Sequence, residues 1–412
     1  MRVIVIGAGI GGLALAQSLR RGEVEVAVHD RDTDVSATGG YRLHLDHHAC
    51  AALRRALPPE LYQALLGNSA GSAGFRRFAF VDHRMRVLAT EARDPEEDTI
   101  LVGRIPLRRL LAHGLGDALR FGAEFTHHAT HPDGTVTAHF ADGSTDRGDL
   151  LVGADGVGSR VTAALAGRPT SRPLGVWGLA GRTHLTDALR ARLPDAVRVG
   201  PVLAVGPGGI GVFLSVHDPA AGTVVDPAAC VAVPADVERA DLVWGLNATA
   251  ERFPDGVRDL APDALQRVAV AMLEGWDDDV RTLVAADASA VGIFGFHAAD
   301  PDGDLTPWPS GVVTGIGDAV HAMPPTGGRA AATAVRDADL LASHLLDVRG
   351  GTSTIPLAVR TYEQRMPSYA VDAIRESLAP LAWMRRLTAP RTRLPARAGL
   401  AAPAAARRWR MS

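Results

Sequence analysis

The sequence predicts an α/β protein in which a parallel-sheet domain is interleaved with a second, β-sheet domain and closed by a C-terminal helix. Three observations carry this. Residues 1–30 read as buried strand, glycine-rich turn, helix, second strand and terminal acid. The texture recurs at Asp149–Gly156 and at Gly311–Asp318, where apolar strands run into Asp-Gly and Gly-Asp. Between Arg168 and Ala298 it gives way to strand-like pieces separated by Pro- and Gly-rich turns.

Arg2–Ile6 is a β-branched run with no solvated face, as expected of a strand inside a parallel sheet. It enters Gly7-Ala8-Gly9-Ile10-Gly11-Gly12 and then helix-like Leu13–Ala16. Gly7 allows the tight turn, Gly9 lets the backbone approach a pyrophosphate, and Gly12 lets the helix pack closely on the strand. The open N–H groups at the helix start stabilise phosphate charge. The second strand, Val24–Val28, ends at Asp30, where an acid holds a ribose hydroxyl. Together these define a Rossmann-like nucleotide-binding unit.

Further on, Gly39-Gly40 precedes alternating Tyr41–Leu45, which suggests backbone close to a ligand with Arg42 beside it. Ala49–Leu66 has helical spacing, interrupted at Pro58-Pro59, and Phe75–Ala89 reads as a hairpin. Ile100–Arg104 is an expected strand and Leu107–Leu119 an expected helix; Glu124–His139 and Leu150–Val152 form a meander. In the β-rich middle, strands are expected at Val199–Val205, Ile210–Val216 and Val291–Phe296, with a helix at Pro262–Glu274. Phe213, Phe294, Phe296 and Trp177 are candidates to line an apolar pocket there, or plain core. After Gly317-Asp318, Gly327-Gly328-Arg329-Ala330 opens a long helix to Leu346, a second site suited to an anion. Arg360–Ser377 is a further helix, and the Ala/Pro/Arg-rich tail, residues 389–412, is expected to be disordered or loosely docked.

Several functions are excluded. The net charge of −3 offers no basic field for nucleic acid, and no apolar run is long enough to span a membrane. The N-terminus reads as a strand rather than a signal peptide, and Cys50 and Cys230 make no disulfide framework, which points to the cytoplasm. All 43 basic residues are arginine, which removes a Walker lysine, a pyridoxal Schiff base and any lysine acid or base. Gly67-Asn68-Ser69-Ala70-Gly71 matches the GxSxG pattern but lacks the strand-then-helix context, so it reads as a loop. The groups His44, Asp46, His48 and His127, His128, His131 form no complete ligand set, and no metal is expected.

Three segments stand in the order of one family. GAGIGG with Asp30, GADGVGSR at Gly153–Arg160, and GIGDAVHAMPPTGG at Gly315–Gly328 together resemble the single-component FAD-dependent monooxygenases of the p-hydroxybenzoate hydroxylase-like type. The resemblance covers most of residues 1–380. It implies a discontinuous FAD-binding domain at 1–74, 101–167 and 299–350. It also implies a substrate-binding β-sheet domain at 75–100 and 168–298, and a C-terminal helical region at 351–388. Gly7, Gly9, Ile10, Gly11 and Gly12 would hold the FAD pyrophosphate, with Asp30 on the ribose and Arg31 against the adenine. Arg42 and Arg104 match arginines that contact FAD, Asp155 a motif associated with both FAD and NAD(P)H, and Asp318 the ribityl and pyrophosphate position. Gly328, Arg329, Ala330 and Ala331 would bring the helix start to the flavin, and Pro325 would join the phenylalanines near the substrate. The implied reaction uses NADH or NADPH and O2, by way of a flavin C4a-hydroperoxide, to place one oxygen atom on an aromatic or polyketide-like small molecule. Catalytic side chains are not identified, and a monomer or homodimer is expected.

The sequence departs from the family at the flavin. Where relatives usually continue with Gly and Asn, it has Ala330 and Ala332, which predicts weaker or differently seated FAD. That motivates an alternative in which the fold serves a cyclase or isomerase without net oxidation. A plain NAD-dependent dehydrogenase would leave the Asp155 and Asp318 motifs idle, and a flavin halogenase would need a lysine. A non-enzymatic binding module remains only if no flavin is retained.

Overall fold

Alternate residues of the first strand belong to two different cores. In the computed structural model, which describes residues 1–40, 42–71, 77–92, 99–218, 224–234, 238–287 and 291–388, Val3 and Val5 pack into the helical core around Leu13, Leu53, Leu107 and Leu341. Ile4 and Ile6 pack against Phe125, Val136 and Phe140 on the other side. A strand buried on both faces has no polar alternation, which is why the strand is continuously apolar from Val3 to Ile6.

Five parallel strands form this sheet, in the order Val313–Gly315, Leu150–Gly153, Arg2–Ile6, Glu25–His29 and Leu119–Arg120. The expected meander supplies a three-stranded antiparallel sheet of Phe125–Thr130, Val136–Phe140 and Thr145–Gly148, while Leu150–Gly153 leaves it to pair with Arg2–Ile6. The expected Leu107–Leu119 helix instead spans Arg104–Ala112. Gly114 and Gly116 both adopt positive φ just beyond it, which halts helix propagation.

The β-rich middle forms a seven-stranded sheet. Its order is Gly292–Ala298, Arg172–His184, Asp241–Thr249, Gly211–His217, Val202–Val205, Arg77–Asp82 and Val87–Ala92. Its two longest strands, Arg172–His184 and Asp241–Thr249, are absent from the sequence-based reading. Pro173, Gly175, Gly178 and Gly181 look like turn residues, but the packing uses two of these glycines. A Cβ on Gly178 would meet the Phe296 ring at 2.8 Å, and one on Gly181 the Trp244 ring at 2.3 Å. Helices Pro262–Met272 and Asp278–Ala285 cover one face of the sheet through Trp244, Leu265 and Leu283. The other face turns toward the parallel-sheet unit, joined to it by a small sheet of Arg42–Leu45, Ile100–Gly103 and Ser69–Gly71.

The helix expected at Arg360–Ser377 is two helices, Ile355–Arg365 and Pro367–Thr388. The second runs through Pro380 and lays Leu381, Trp383 and Met384 across the uncovered sheet face. The 389–412 tail and Phe75 lie outside the described residues.

Candidate active site

The glycine-rich turn divides into residues that the fold requires and one that it does not. Gly7 sits at φ +111°, and a Cβ there would lie 2.2 Å from the Ala154 carbonyl oxygen. A Cβ on Gly12 would lie 2.0 Å from the Gly7 carbonyl oxygen, and one on Gly11 3.1 Å from the Ala334 Cβ. Ile10 begins the helix and is buried. Gly9 has φ −72°, open to any residue, and no atom of the described residues comes within 4 Å of a Cβ built on it. Its lack of a side chain leaves space rather than relieving strain.

Asp30 closes the turn from the next strand. Its Oδ2 accepts from the Ala8 N–H at 2.5 Å and its Oδ1 from the Asp32 N–H at 2.7 Å. Arg108, not singled out as a site residue from the sequence, locks this corner. Its Nε donates to the Ala8 carbonyl at 2.8 Å, and its guanidinium reaches Asp32 at 2.8 Å and Asp30 at 3.4 Å. The sequence places Arg108 on a helix but carries no signal for partners 76 to 100 residues away. Arg31 is exposed.

Two further acids end strands of the parallel sheet, each with an oxygen closed off from solvent. Asp155 Oδ2 accepts from the Arg160 N–H at 2.9 Å, while its Oδ1 has no partner among the described residues. Asp318 Oδ1 is likewise unpartnered. Burial pushes both carboxyls above the usual range; His321 and Arg104 oppose this at Asp318. Arg104 itself opens the Arg104–Ala112 helix, and burial holds its guanidinium below its usual value with Asp318 opposing. Gly40, at φ +92°, lies against it, so that a Cβ there would be 3.2 Å from Nη1.

Asp318 rests on a sealed network. Asp337 is 0% exposed and accepts from the Gly317 N–H at 2.7 Å and the Tyr369 hydroxyl at 2.7 Å; its Oδ2 also lies 2.5 Å from His321 Nε2. Asp337 raises the His321 pKa against the effect of burial. Gly328, at φ +65°, leads into the Ala330–Arg349 helix. Arg329 bridges Asp46 at 3.3 Å and Glu376 at 3.1 Å. Ala330 and Ala331 are half-buried, Ala332 is 1% exposed in the apolar core, and Pro325 is exposed.

On the seven-stranded sheet, the register places Gly292, Ala180, Gly245, Phe213, Leu203 and Phe80 in one row on the face turned toward the parallel-sheet unit. Gly245 and Gly292 have no atom of the described residues within 4 Å of an added Cβ. The row is therefore open floor at one side and aromatic at the other. Phe213, Phe294 and Phe296 share this face, and the Phe294 and Phe296 rings lie 5.6 Å apart beside Gly178. Trp177 does not join them; it packs on Phe253 on the helix-covered side. Met384 and Trp383 of the last helix close one end, Trp383 meeting Phe80 at 5.1 Å.

The other end of the face is polar. Arg42 pairs with Glu238 and, at 3.0 Å, with Asp241; Arg182 meets Glu238 at 3.3 Å. Beside them His217, 2% exposed, has neither ring nitrogen partnered among the described residues, and burial with Arg42 pushes its pKa down to about 3. Ser69 of the GxSxG segment lies in a short strand and spends its hydroxyl on the Leu65 carbonyl at 2.6 Å, so its Oγ attacks nothing.

Residues 1–192 and 274–377 match a family model described as FAD binding domain. The 3-amino-4-hydroxybenzoate 2-monooxygenase PtnB3 of Streptomyces platensis is 30% identical over 380 residues, covering 89% of this chain and 84% of the relative. The dual O-methyltransferase/FAD-dependent monooxygenase CTB3 of Cercospora beticola is 28% identical over 397 residues, or 89% of this chain and 44% of the relative. The chain spans less than half the length of several such curated relatives. The structure of a Photorhabdus luminescens protein assigned as an FAD-containing monooxygenase aligns with a TM-score of 0.78 and 30% identity, over 93% of this chain and 98% of that one. Klebsiella pneumoniae HpxO, solved with FAD and uric acid, shares the fold at a TM-score of 0.75 and 22% identity, over 97% and 92% of the two chains. The chain belongs to the FAD-binding-domain family of p-hydroxybenzoate hydroxylase-like monooxygenases. Among the described residues no helix is long and apolar enough to cross a membrane.

Proposed function

We propose that this protein is an NAD(P)H- and O2-dependent FAD monooxygenase acting on an aromatic or polyketide-like small molecule. One oxygen atom of O2 enters the substrate and the other leaves as water, with NADH or NADPH supplying two electrons. The observation that carries the reading is Asp318: a carboxylate oxygen shut off from solvent and unpartnered among the described residues, with His321 and then Arg104 opposing the effect of its burial. Such an acid suits a ligand that offers hydroxyl donors, and the space over Gly9 suits the approach of a pyrophosphate. Family and site therefore fit FAD, which when bound supplies the redox and oxygen chemistry that the side chains lack.

The chain's own residues bind and orient. Gly9, Gly11 and the helix start after them receive the pyrophosphate, and Asp30 and Arg108 hold that turn in shape. Asp318 would take ribityl hydroxyls, Arg104 and, beyond its pairs with Glu238 and Asp241, Arg42 would contact the cofactor, and the first turn of Ala330–Arg349 would offer free N–H groups to negative charge on it. The open row on the seven-stranded sheet seats the substrate and keeps water away from it. The aromatic substrate of PtnB3 supports this substrate class. A cytoplasmic location and a monomeric or homodimeric state belong to the same proposal.

The visible spectrum of the purified protein tests the reading, together with FAD released on heating. A bound-flavin spectrum and oxygen-linked NAD(P)H consumption are expected. A colourless protein that takes up no added FAD would overturn it in favour of the cyclase or isomerase alternative. The observation favouring that alternative is the burial of Ala332, at the position where the family resemblance implies an Asn. Restoring it in Ala332→Asn is expected to cost the flavin-free protein about 1–3 kcal/mol, read by denaturant titration, because the amide enters an apolar core. Added FAD should recover part of that loss if the amide reaches the flavin.

A further inference from the structure

We infer that Glu238 sets the charge class of the substrate: by neutralising Arg42 and Arg182 at the polar end of the open sheet face, it makes the site take a neutral hydroxyl- or carbonyl-bearing polycycle and reject a carboxylate. The inference rests on reading that face as the substrate site. Two guanidiniums there face two carboxylates. Arg42 is paired with both Glu238 and Asp241, and Arg182 with Glu238. The imidazole of His217 adds no charge near neutral pH. His184, on the next strand, is in register with Asp241 from the other side, completing the titratable groups described here.

Glu238 has a place made for it. A Cβ on Gly103 would fall 2.0 Å from Glu238 Oε2, so the glycine leaves room for this carboxylate between the two units. With its charges balanced, the cluster holds no spare cation for an incoming anion, and a carboxylate would have to displace an existing partner, from a buried pair at Arg42 and a half-buried one at Arg182. What it does offer is hydrogen bonding. Among the described residues, both nitrogens of His217, Nε of Arg42, Nε of Arg182 and Oδ1 of Asp241 are buried and unpartnered. A neutral imidazole presents one donor and one acceptor, the complement of a hydroxyl. A site that leaves such groups waiting discriminates strongly against ligands that cannot meet them.

The spacing argues for more than one ring. Arg182 lies two residues beyond Ala180 on its strand, and Asp241 four residues beyond Gly245 on its own. At about 3.4 Å per residue, the polar groups stand about 7 to 14 Å from the open floor. A fused polycycle lying along the strands bridges that span.

The test uses the FAD-loaded protein without reductant, titrated calorimetrically with 2-naphthol and with 2-naphthoate. The expected result is at least tenfold tighter binding of 2-naphthol. Glu238→Gln frees Arg182 and leaves Arg42 with Asp241 alone, and 2-naphthoate should then gain about tenfold or more while 2-naphthol changes less than about threefold, a shift of about 1.4 kcal/mol. Adding Arg182→Gln to that variant should restore the hydroxyl preference. If Glu238→Gln fails to fold by circular dichroism, Arg182→Gln alone tests the balance from the other side and should weaken 2-naphthoate further. Equal binding of the two probes by the unaltered protein, or an affinity ratio insensitive to these changes, overturns the inference but not the monooxygenase reading. Failure of both probes to bind overturns this inference together with the aromatic-substrate reading.

Discussion

The two ends of the candidate site use glycine for opposite purposes. At the nucleotide end, Gly7 and Gly12 exist because backbone carbonyls pass within 2.2 and 2.0 Å of where a Cβ would be. On the seven-stranded sheet, Gly245 and Gly292 have no atom of the described residues within 4 Å of an added Cβ. One end is a fixed mould whose small residues are demanded by the chain itself. The other is a surface whose small residues are demanded, if at all, by what lies on it. Stability measurements should therefore separate the two regions sharply.

The largest effect is expected at Gly12→Ala. The methyl would strike the Gly7 carbonyl, which is held by the turn, so relief needs a shift of the helix against the strand. A loss of about 3 kcal/mol or more is expected, with FAD content falling alongside it. Denaturant unfolding of the flavin-free protein checks the first and the visible spectrum the second. An unchanged midpoint would break the comparison, because the mould would then be soft.

Next comes Arg108→Leu. Arg108 is 2% exposed and its guanidinium is shared among Asp30, Asp32 and the Ala8 carbonyl, so its removal strands two acids at a tight turn. Breaking a buried ionic contact of this kind costs about 3–5 kcal/mol; the partly exposed Asp32 places this case at the lower end. Chemical denaturation gives the number. Partial rescue by Asp32→Asn would tie the loss to the stranded charge rather than to lost packing.

These two residues also show what the sequence could reveal. The nucleotide end is specified by neighbours in sequence: strand, Gly7–Gly12 and helix are contiguous, and Asp30 follows one element later. Its residues were therefore legible, and so was the recurrence at Asp155 and Asp318. Arg108 was not, because its partners arrive through tertiary packing. The open face of the seven-stranded sheet was the least legible. A row such as Gly292–Ala180–Gly245–Phe213 draws each residue from a different strand, and no local pattern records register between strands so far apart. The glycines that let Arg172–His184 run past aromatic rings read as turns when seen alone. For the same reason Trp177 could not be told from Phe294, since alternation fixes that they face opposite sides only once the strand is known.

Titration offers a smaller contrast. His321, under the nucleotide end, has its pKa raised by Asp337, so its contribution to stability is complete below pH 6.5 and is lost as pH rises through the folded value. His217, at the polar end of the open sheet face, is pushed down to about 3, so its contribution is complete above pH 6.5 and is lost as pH falls toward 3. Each slope is at most about 1.4 kcal/mol per pH unit. Asp318 and Asp155, with raised carboxyl pKa values, add to the loss as pH rises above about 4. His321→Gln should flatten the alkaline limb of the stability profile and His217→Gln the acid limb. If either variant flattened the other limb, the assignment of the two histidines would be reversed.

The smallest effect on folding, and the most informative, is expected at the glycines with room around them. Gly245→Val places a β-branched residue in a strand where no described atom lies within 4 Å of the new Cβ; stability should hold or rise by about 0.5–1 kcal/mol. Binding of 2-naphthol should nevertheless fall at least tenfold. Gly9→Ala belongs with it although it sits between Gly7 and Gly12. Its φ of −72° and open surroundings predict an unchanged unfolding midpoint without flavin and at least tenfold weaker FAD binding. Calorimetric titration of each variant with its own ligand, beside its denaturation curve, decides the matter. Should Gly9→Ala destabilise the flavin-free protein as Gly12→Ala does, the turn would be one mould throughout. If it spares the fold and costs only the cofactor, the dividing line between fold and function runs through the middle of GAGIGG, with Gly9 on the same side as the open floor of the seven-stranded sheet.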